Sequence, residues 1–217
     1  MKVIDYLLDW RYPVKCPFCG RLTDRHDVFV CKDCIKTLPY AKDTASEQKF
    51  PNIQLCISPL YYEGDVRESI HRYKFGGKSA YGRVYADFIG KAIDEKEISC
   101  DYITWVPLSS KRYRKRGYNQ SKVIADYLAR RNGFHKKQLI KKIRNNPAQS
   151  GTGGREARKA NVSGVYEAIN TELIRGKTVL IIDDVVTTGA TLSECAGVLK
   201  KAGAKNIYAA TLARHKD

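Results

Sequence analysis

The chain contains no run of ~18 consecutive apolar residues, so a membrane-crossing helix is not expected. Its first ten residues are apolar but broken by Asp5 and Asp9. They lack the uninterrupted apolar region and small-residue cleavage site of a secretory signal, so cytoplasm is the expected location. No internal repeat and no low-complexity tract is present. Acidic residues are scarce in one quarter of the chain: between Trp105 and Ala160 there are 16 Lys/Arg against 2 Asp/Glu, within a total net charge of +16. A solvated helix face can be basic without purpose. An excess this concentrated favours a polyanionic partner such as pyrophosphate, a nucleotide or nucleic acid.

At 217 residues the chain suits one domain of ordinary size with a small appendage. The segment from Lys177 to Thr191 is the most informative. A β-branched and aliphatic run reads as a buried parallel strand. It ends in Asp183-Asp184 and continues as Val185-Val186-Thr187-Thr188-Gly189-Ala190-Thr191 into a helix. Small loop residues let backbone N–H groups approach an anion, and the helix N-terminus adds positive potential. Carboxylates beside such a cradle accept hydrogen bonds from sugar hydroxyls, which together describes a phosphorylated ribose. The plainer alternative is a strand–loop–helix whose Asp and Thr residues only cap the helix.

This stretch resembles the phosphoribosyl-pyrophosphate (PRPP) signature of type I phosphoribosyltransferases. The resemblance implies that Asp183 and Asp184 contact the ribose hydroxyls, with catalytic weight if turnover occurs. Thr187, Thr188, Gly189, Ala190 and Thr191 then line the 5′-phosphate cradle.

Four of the seven cysteines form two pairs, Cys16/Cys19 and Cys31/Cys34, separated by 11 residues. Two Cys-x-x-Cys knuckles can bring four thiolates tetrahedrally around one ion, the arrangement of structural zinc. Disulfides compete with that reading, and iron is a residual alternative. Gly20 permits the tight turn after the first pair, and His26 is expected to be exposed. Cys56, Cys100 and Cys195 read as small core residues.

Strands are expected at 101–106, 138–143, 178–182 and 206–213, and helices at 64–75, 81–93, 118–131 and 192–202. This alternation indicates an α/β fold with a doubly wound, mainly parallel sheet. The expected division is a zinc-binding knuckle over residues 1–40, a polar linker over 41–52 and a phosphoribosyltransferase-like domain over 53–217. Within the last, 53–100 forms a hood carrying Tyr61, Tyr62, Tyr73, Phe75 and Tyr81, each able to stack on a base or to fill the core.

The basic stretch from Val106 to Gln120, the later Gln149 and Arg158-Lys159-Ala160-Asn161, and the four-cysteine knuckle occur in the order found in the ComF family. These are competence proteins of the phosphoribosyltransferase fold, and the resemblance runs over nearly the whole chain. It implies a pyrophosphate turn at Leu108, Ser109, Ser110, Lys111 and Arg112, with Mg²⁺ arriving on PRPP. Arg112 and Arg116 match the family's basic positions, Asn119 and Gln120 its polar pair. Arg114 and Lys115 join Arg112 and Arg116 as candidate nucleic-acid contacts, although the bland reading leaves Arg114 and Lys115 facing solvent. Arg fits paired phosphate oxygens with a planar fork. Gly117 is expected to turn the loop into a helix capped by Asn119. A flexible loop carrying Arg155 and Arg158 is expected to close over the ligand, though Thr152, Gly153 and Gly154 depart from the family pattern there.

Two functions remain after this reading. One is a PRPP-binding protein that handles single-stranded DNA during competence and natural transformation (DNA uptake), alongside a helicase-like partner and recombination proteins. In that reading Tyr113, Tyr118 and Phe134 are stacking candidates, while Tyr127 is expected in the core. The other is an active type I phosphoribosyltransferase of nucleobase or nucleotide metabolism without a DNA role.

Overall fold

A computed structural model describes residues 15–23, 29–144 and 164–216. The central element is β8 (Thr178–Val186), where Val179, Leu180, Ile181 and Ile182 are all fully buried. Continuous burial on both faces is what a central parallel strand requires. β9 (Asn206–Arg214) pairs with it in parallel along almost its whole length. β4 (Tyr102–Trp105) flanks β8 on the other side, and β5 (His135–Lys136) closes that edge. Beyond β9 lie β2 (Ile53–Ile57) and β3 (Leu60–Tyr61), both parallel to it. β1 (Glu47–Phe50) is antiparallel to β2 at the far edge. The order is therefore β1-β2-β9-β8-β4-β5, with β3 also on β9.

Helices cover both faces, as expected for a doubly wound sheet. Leu180 and Ile182 point into a cluster with α2 (Gly64–Phe75), α3 (Tyr81–Glu95) and α5 (Gln120–Asn132). Val179 and Ile181 point the other way, into a cluster with α6 (Ala190–Lys201) and the two-stranded ribbon of β6 (Ile140–Lys142) and β7 (Tyr166–Ala168). Among the described residues, no helix is long and apolar enough to cross a membrane.

Three segments differ from the sequence expectation. The strand expected at 138–143 forms, but it pairs with β7 in a separate ribbon, and His135–Lys136 takes the edge beside β4. The stretch expected as a polar linker holds a 3₁₀ turn at Asp43–Ser46 and the edge strand β1. The basic segment read as a loop is α4 (Ser110–Arg116), with Ser109 as N-cap and Gly117 in the left-handed conformation at its end. Sheet pairing and capping by distant or neighbouring groups decided these segments; none has a strong period of its own.

The cysteine segment, whose short helix α1 spans Lys32–Thr37, packs onto the body of the fold. Phe18 is buried against Tyr85 and Phe88 of α3. Arg72 of α2 donates to the carbonyls of Pro17 and Phe18, at 2.9 and 2.7 Å.

Candidate functional site

Side chains alternate across a strand, so adjacent residues point to opposite faces. This separates the two acids at the end of β8. Asp183 continues the Val179–Ile181 row and lines a cavity of about 50 Å³ together with Thr187, Thr188, Gly189, Ala190 and Thr191. Asp184 continues the Leu180–Ile182 row toward α2, where it is nearly buried and lies 2.9 Å from the Lys74 ammonium. The sequence presents the acids as a joint pair. They flank one strand end, but only Asp183 faces the loop.

Asp183 accepts hydrogen bonds through Oδ1 from Ser121 Oγ at 2.8 Å and from the Asp184 backbone N–H at 2.9 Å. Burial, and then the charge of Asp184, push its carboxyl up to about 7, with Ser121 and Lys74 acting in the opposite sense. The loop beyond it is shaped for close approach. Gly189 has φ +72°, and a Cβ placed there would lie 2.2 Å from the Phe50 ring. Both the left-handed backbone and the packing of β1 therefore require glycine. Thr188 Oγ1 accepts from the Ala190 N–H at 3.4 Å. Ser193 N–H donates to the Gly189 carbonyl at 2.8 Å, and the N–H groups of Thr191 and Leu192 precede the first intrahelical bond, which suits an anion.

The basic segment behaves partly as expected. Asn119 caps α5 by accepting from Lys122 N–H at 3.0 Å, and its amide also donates to the Val106 carbonyl at the end of β4. Lys111, Arg112, Arg114 and Lys115 are exposed on α4, while Arg116 is half-buried and donates to Gln120 Oε1 at 2.8 Å. Burial lowers the Arg116 pKa, while the charges of Asp184 and Asp183 raise it, so this guanidinium senses both acids. Burial lowers the pKa of Lys142 and raises that of Tyr166, and at both the charges of Arg112 and Asp183 act in opposite senses. Leu108 and Ser110 instead line a groove of about 310 Å³ with Trp105, Tyr113 and Lys122. Ser109 is buried and serves as the cap of α4, its Oγ accepting from Arg112 N–H at 3.3 Å. Of the expected pyrophosphate turn, Leu108 and Ser110 thus line this groove and Ser109 serves as a cap, and none of the five lines the Asp183 cavity. Arg155 and Arg158, the expected closing residues, lie outside the described residues, as do His26, Gln149 and Asn161.

The aromatic candidates separate clearly. Tyr73 is fully buried, donates to the Gln120 carbonyl at 2.9 Å and stacks edge-on against Tyr85. Tyr118 donates to the Tyr73 carbonyl, and Phe134 packs against the main core. Tyr127 is half-buried under Arg130. Phe75 and Tyr113 remain exposed.

The four cysteine sulfurs of Cys16, Cys19, Cys31 and Cys34 all lie within 4.8 Å of one another. The Cys19 and Cys31 sulfurs are 3.6 Å apart, close to the ~3.8 Å edge of a tetrahedron with Zn–S bonds of about 2.3 Å. No disulfide is formed among them. Cys34 N–H donates to Cys31 Sγ, and Gly20 N–H closes the first turn on the Cys16 carbonyl. Burial pushes the Cys16 and Cys34 thiols up. Against the same effect, hydrogen bonds from Arg21 bring Cys19 down to about 6. The donor set and spacing fit a closed, structural metal site with no position for substrate. The cluster can hold a metal such as zinc.

Lys74, Phe50, Ser121 and Arg72 were not found by sequence reasoning. Ser121 directly follows Asn119 and Gln120, so its helix-start position was a usable signal. The others depend on distant packing and left none.

A mainly parallel sheet whose central strand ends in acids, then opens through a Thr/Gly loop into a helix, is a phosphoribosyltransferase-type domain. A family model described as phosphoribosyl transferase domain matches residues 115–217. DNA utilization protein YhgH of Salmonella typhimurium is 31% identical, over 92% of this chain and 83% of its own length. Competence protein ComFC of Streptococcus pneumoniae is 27% identical, over 93% of this chain and all of its own. A crystal structure of adenine phosphoribosyltransferase overlays with a TM-score of 0.44 at 18% identity, covering 79% of this chain and 86% of that one. The chain belongs to the ComF family of phosphoribosyltransferase-like proteins.

Proposed function

We propose that this protein binds PRPP at the end of β8 and handles single-stranded DNA across α4, in the service of competence and DNA uptake. The carrying observation is that Asp183 and the Thr187–Thr191 loop line one cavity. The 5′-phosphate sits on the loop and the first turn of α6. Asp183, and Asp184 once released by Lys74, accept from the ribose hydroxyls. Lys111 and Arg112 meet the pyrophosphate, and Arg155 and Arg158 close over it. Mg²⁺ arrives with the pyrophosphate, in keeping with its habit of binding through substrate phosphates and few carboxylates. The four cysteines hold structural zinc.

The strand-binding half rests on α4, which carries five Lys/Arg in seven residues and no acid. Among the described residues none of these cations is paired with a carboxylate. Arg112, Arg114, Lys115 and Arg116 track the phosphates. The names of the relatives, a competence protein and a DNA utilization protein, support this side of the reading. The setting is cytoplasmic, with a competence helicase and recombination proteins as the partners.

Calorimetry tests the sugar-phosphate site: PRPP with Mg²⁺ should bind the wild type, and Asp183→Asn with Asp184→Asn should abolish binding. Unchanged affinity in the double variant removes the site. Strand binding should weaken with salt by roughly 0.7 log units per log unit for each phosphate neutralised; a flat response removes that half.

A second reading, an active phosphoribosyltransferase, draws on the Asp183 carboxyl being pushed up to about 7, the range in which a group can exchange protons at neutral pH. Pyrophosphate release from PRPP and Mg²⁺ with a panel of nucleobases, above hydrolysis, identifies the enzyme. No release with any base leaves a binding protein.

A further inference from the structure

We infer that Phe75 is a base-stacking platform for single-stranded nucleic acid, held between the basic helix α4 and the acid-bearing strand end. The inference rests on the strand-binding reading above and specifies where the first unpaired base lies. Phe75 ends α2 with 51% of its surface exposed, although Tyr73 two residues earlier is fully buried. The Arg116 guanidinium lies 5.0 Å from its ring centroid and the Lys115 ammonium 5.8 Å. The His71 ring is 4.9 Å away. An exposed aromatic ring alone is unremarkable on a protein surface. One flanked by two cations that have no carboxylate partner among the described residues is different. It joins a π-face to oxyanion donors within a few ångströms, the two elements single-strand sites combine.

The other aromatic candidates are weaker. Tyr118 is hydrogen-bonded to Tyr73 and packs on its ring, and Phe134 is packed against the main core. Tyr113 is exposed but lines the groove with Trp105 and Lys122 on another side of α4. The neighbour of Phe75 in sequence, Lys74, holds Asp184. A base stacked on Phe75 therefore brings its own sugar and phosphates past Lys115 and Arg116, beside the proposed PRPP site. An acidic or purely apolar partner does not satisfy this combination of a ring and two cations without a carboxylate salt bridge.

The test uses the full chain and fluorescence anisotropy with a labelled oligothymidylate and an abasic oligonucleotide of equal length. Phe75→Ala should weaken oligothymidylate binding by about 5- to 100-fold, the effect of losing one stacked base. The salt slope should be unchanged, because the phosphate contacts remain. Phe75→Trp should keep the affinity, and the abasic strand should not distinguish Phe75→Ala from wild type. Wild-type affinity in Phe75→Ala, or an equal loss on both oligonucleotides, overturns the platform. Absence of strand binding by the wild type instead brings down the strand-handling half of the proposed function, and the platform with it.

Discussion

Lys74 and Asp184 form an ion pair of 2.9 Å, with side chains 22% and 8% exposed, between the end of α2 and the end of the central strand. The charge of this lysine also acts on Asp183 and opposes the rise of its pKa. It thus compensates two adjacent carboxylates that repel each other at the strand end.

Removing one member of such a pair leaves an uncompensated charge. Lys74→Met should destabilise the protein by about 2–4 kcal/mol in denaturant unfolding at neutral pH. Lys74→Arg should recover most of the loss. If Lys74→Met unfolds at the wild-type midpoint, the pair has no structural weight.

Asp183 provides a pH-dependent signature. Its folded pKa, about 7, lies above the ordinary value near 3.9 for an unfolded chain. The folded state therefore holds this proton more tightly. The resulting stability is fully present below pH ~4 and is lost as pH rises through about 7. Asp183→Asn mimics the protonated form and should be more stable than wild type at pH 8, by roughly 1–3 kcal/mol. The gain should vanish near pH 4. Ligand affinity moves the other way: wild-type PRPP binding should strengthen between pH 6 and 8 as the carboxyl becomes an acceptor. Thermal unfolding and calorimetry across this range give both readings.

Gly189→Ala should be costly on two grounds. A Cβ at φ +72° is strained, and it would collide with the Phe50 ring. We expect a loss of about 2–3 kcal/mol. Adding Phe50→Ala should restore only the steric part, leaving the backbone cost. A double-mutant cycle by denaturant unfolding measures the two shares.

Metal removal should reach beyond the knuckle. Phe18 packs on α3, and Arg72 of α2 donates to the Pro17 and Phe18 carbonyls. A strong chelator, or Cys34→Ser, should release one zinc per chain to a chromogenic dye and lower the melting temperature of the whole domain. A lower zinc content without a change in melting temperature would show that the knuckle is energetically separate.

Local signals were read well because their physics is local. The run Thr178 to Ile182 is buried on both faces, so its composition alone marks a central strand. Asn119 caps α5 as the sequence indicates, because a capping oxygen acts within one turn, whereas Gly117, expected only to lead a loop into that helix, also ends α4. The basic stretch 110–116 was harder: no residue of this helix is buried, so no apolar period marked it. Glu47–Phe50 was read as linker because an edge strand of four residues takes its pairing from β2, which no local pattern announces.

The residues by themselves determined the strand–loop–helix with its acids, the four-sulfur cluster, the alternating architecture and the concentration of positive charge. These follow from period, spacing and side-chain chemistry within short windows. Tertiary structure alone decided that the two acids part to opposite faces, that Lys74 occupies one of them, that Phe50 closes over Gly189 and that Phe75 stays open beside Arg116. Each of these depends on which distant segments the sheet order brings to the same strand end, and the free energy of that packing is shared across the whole core.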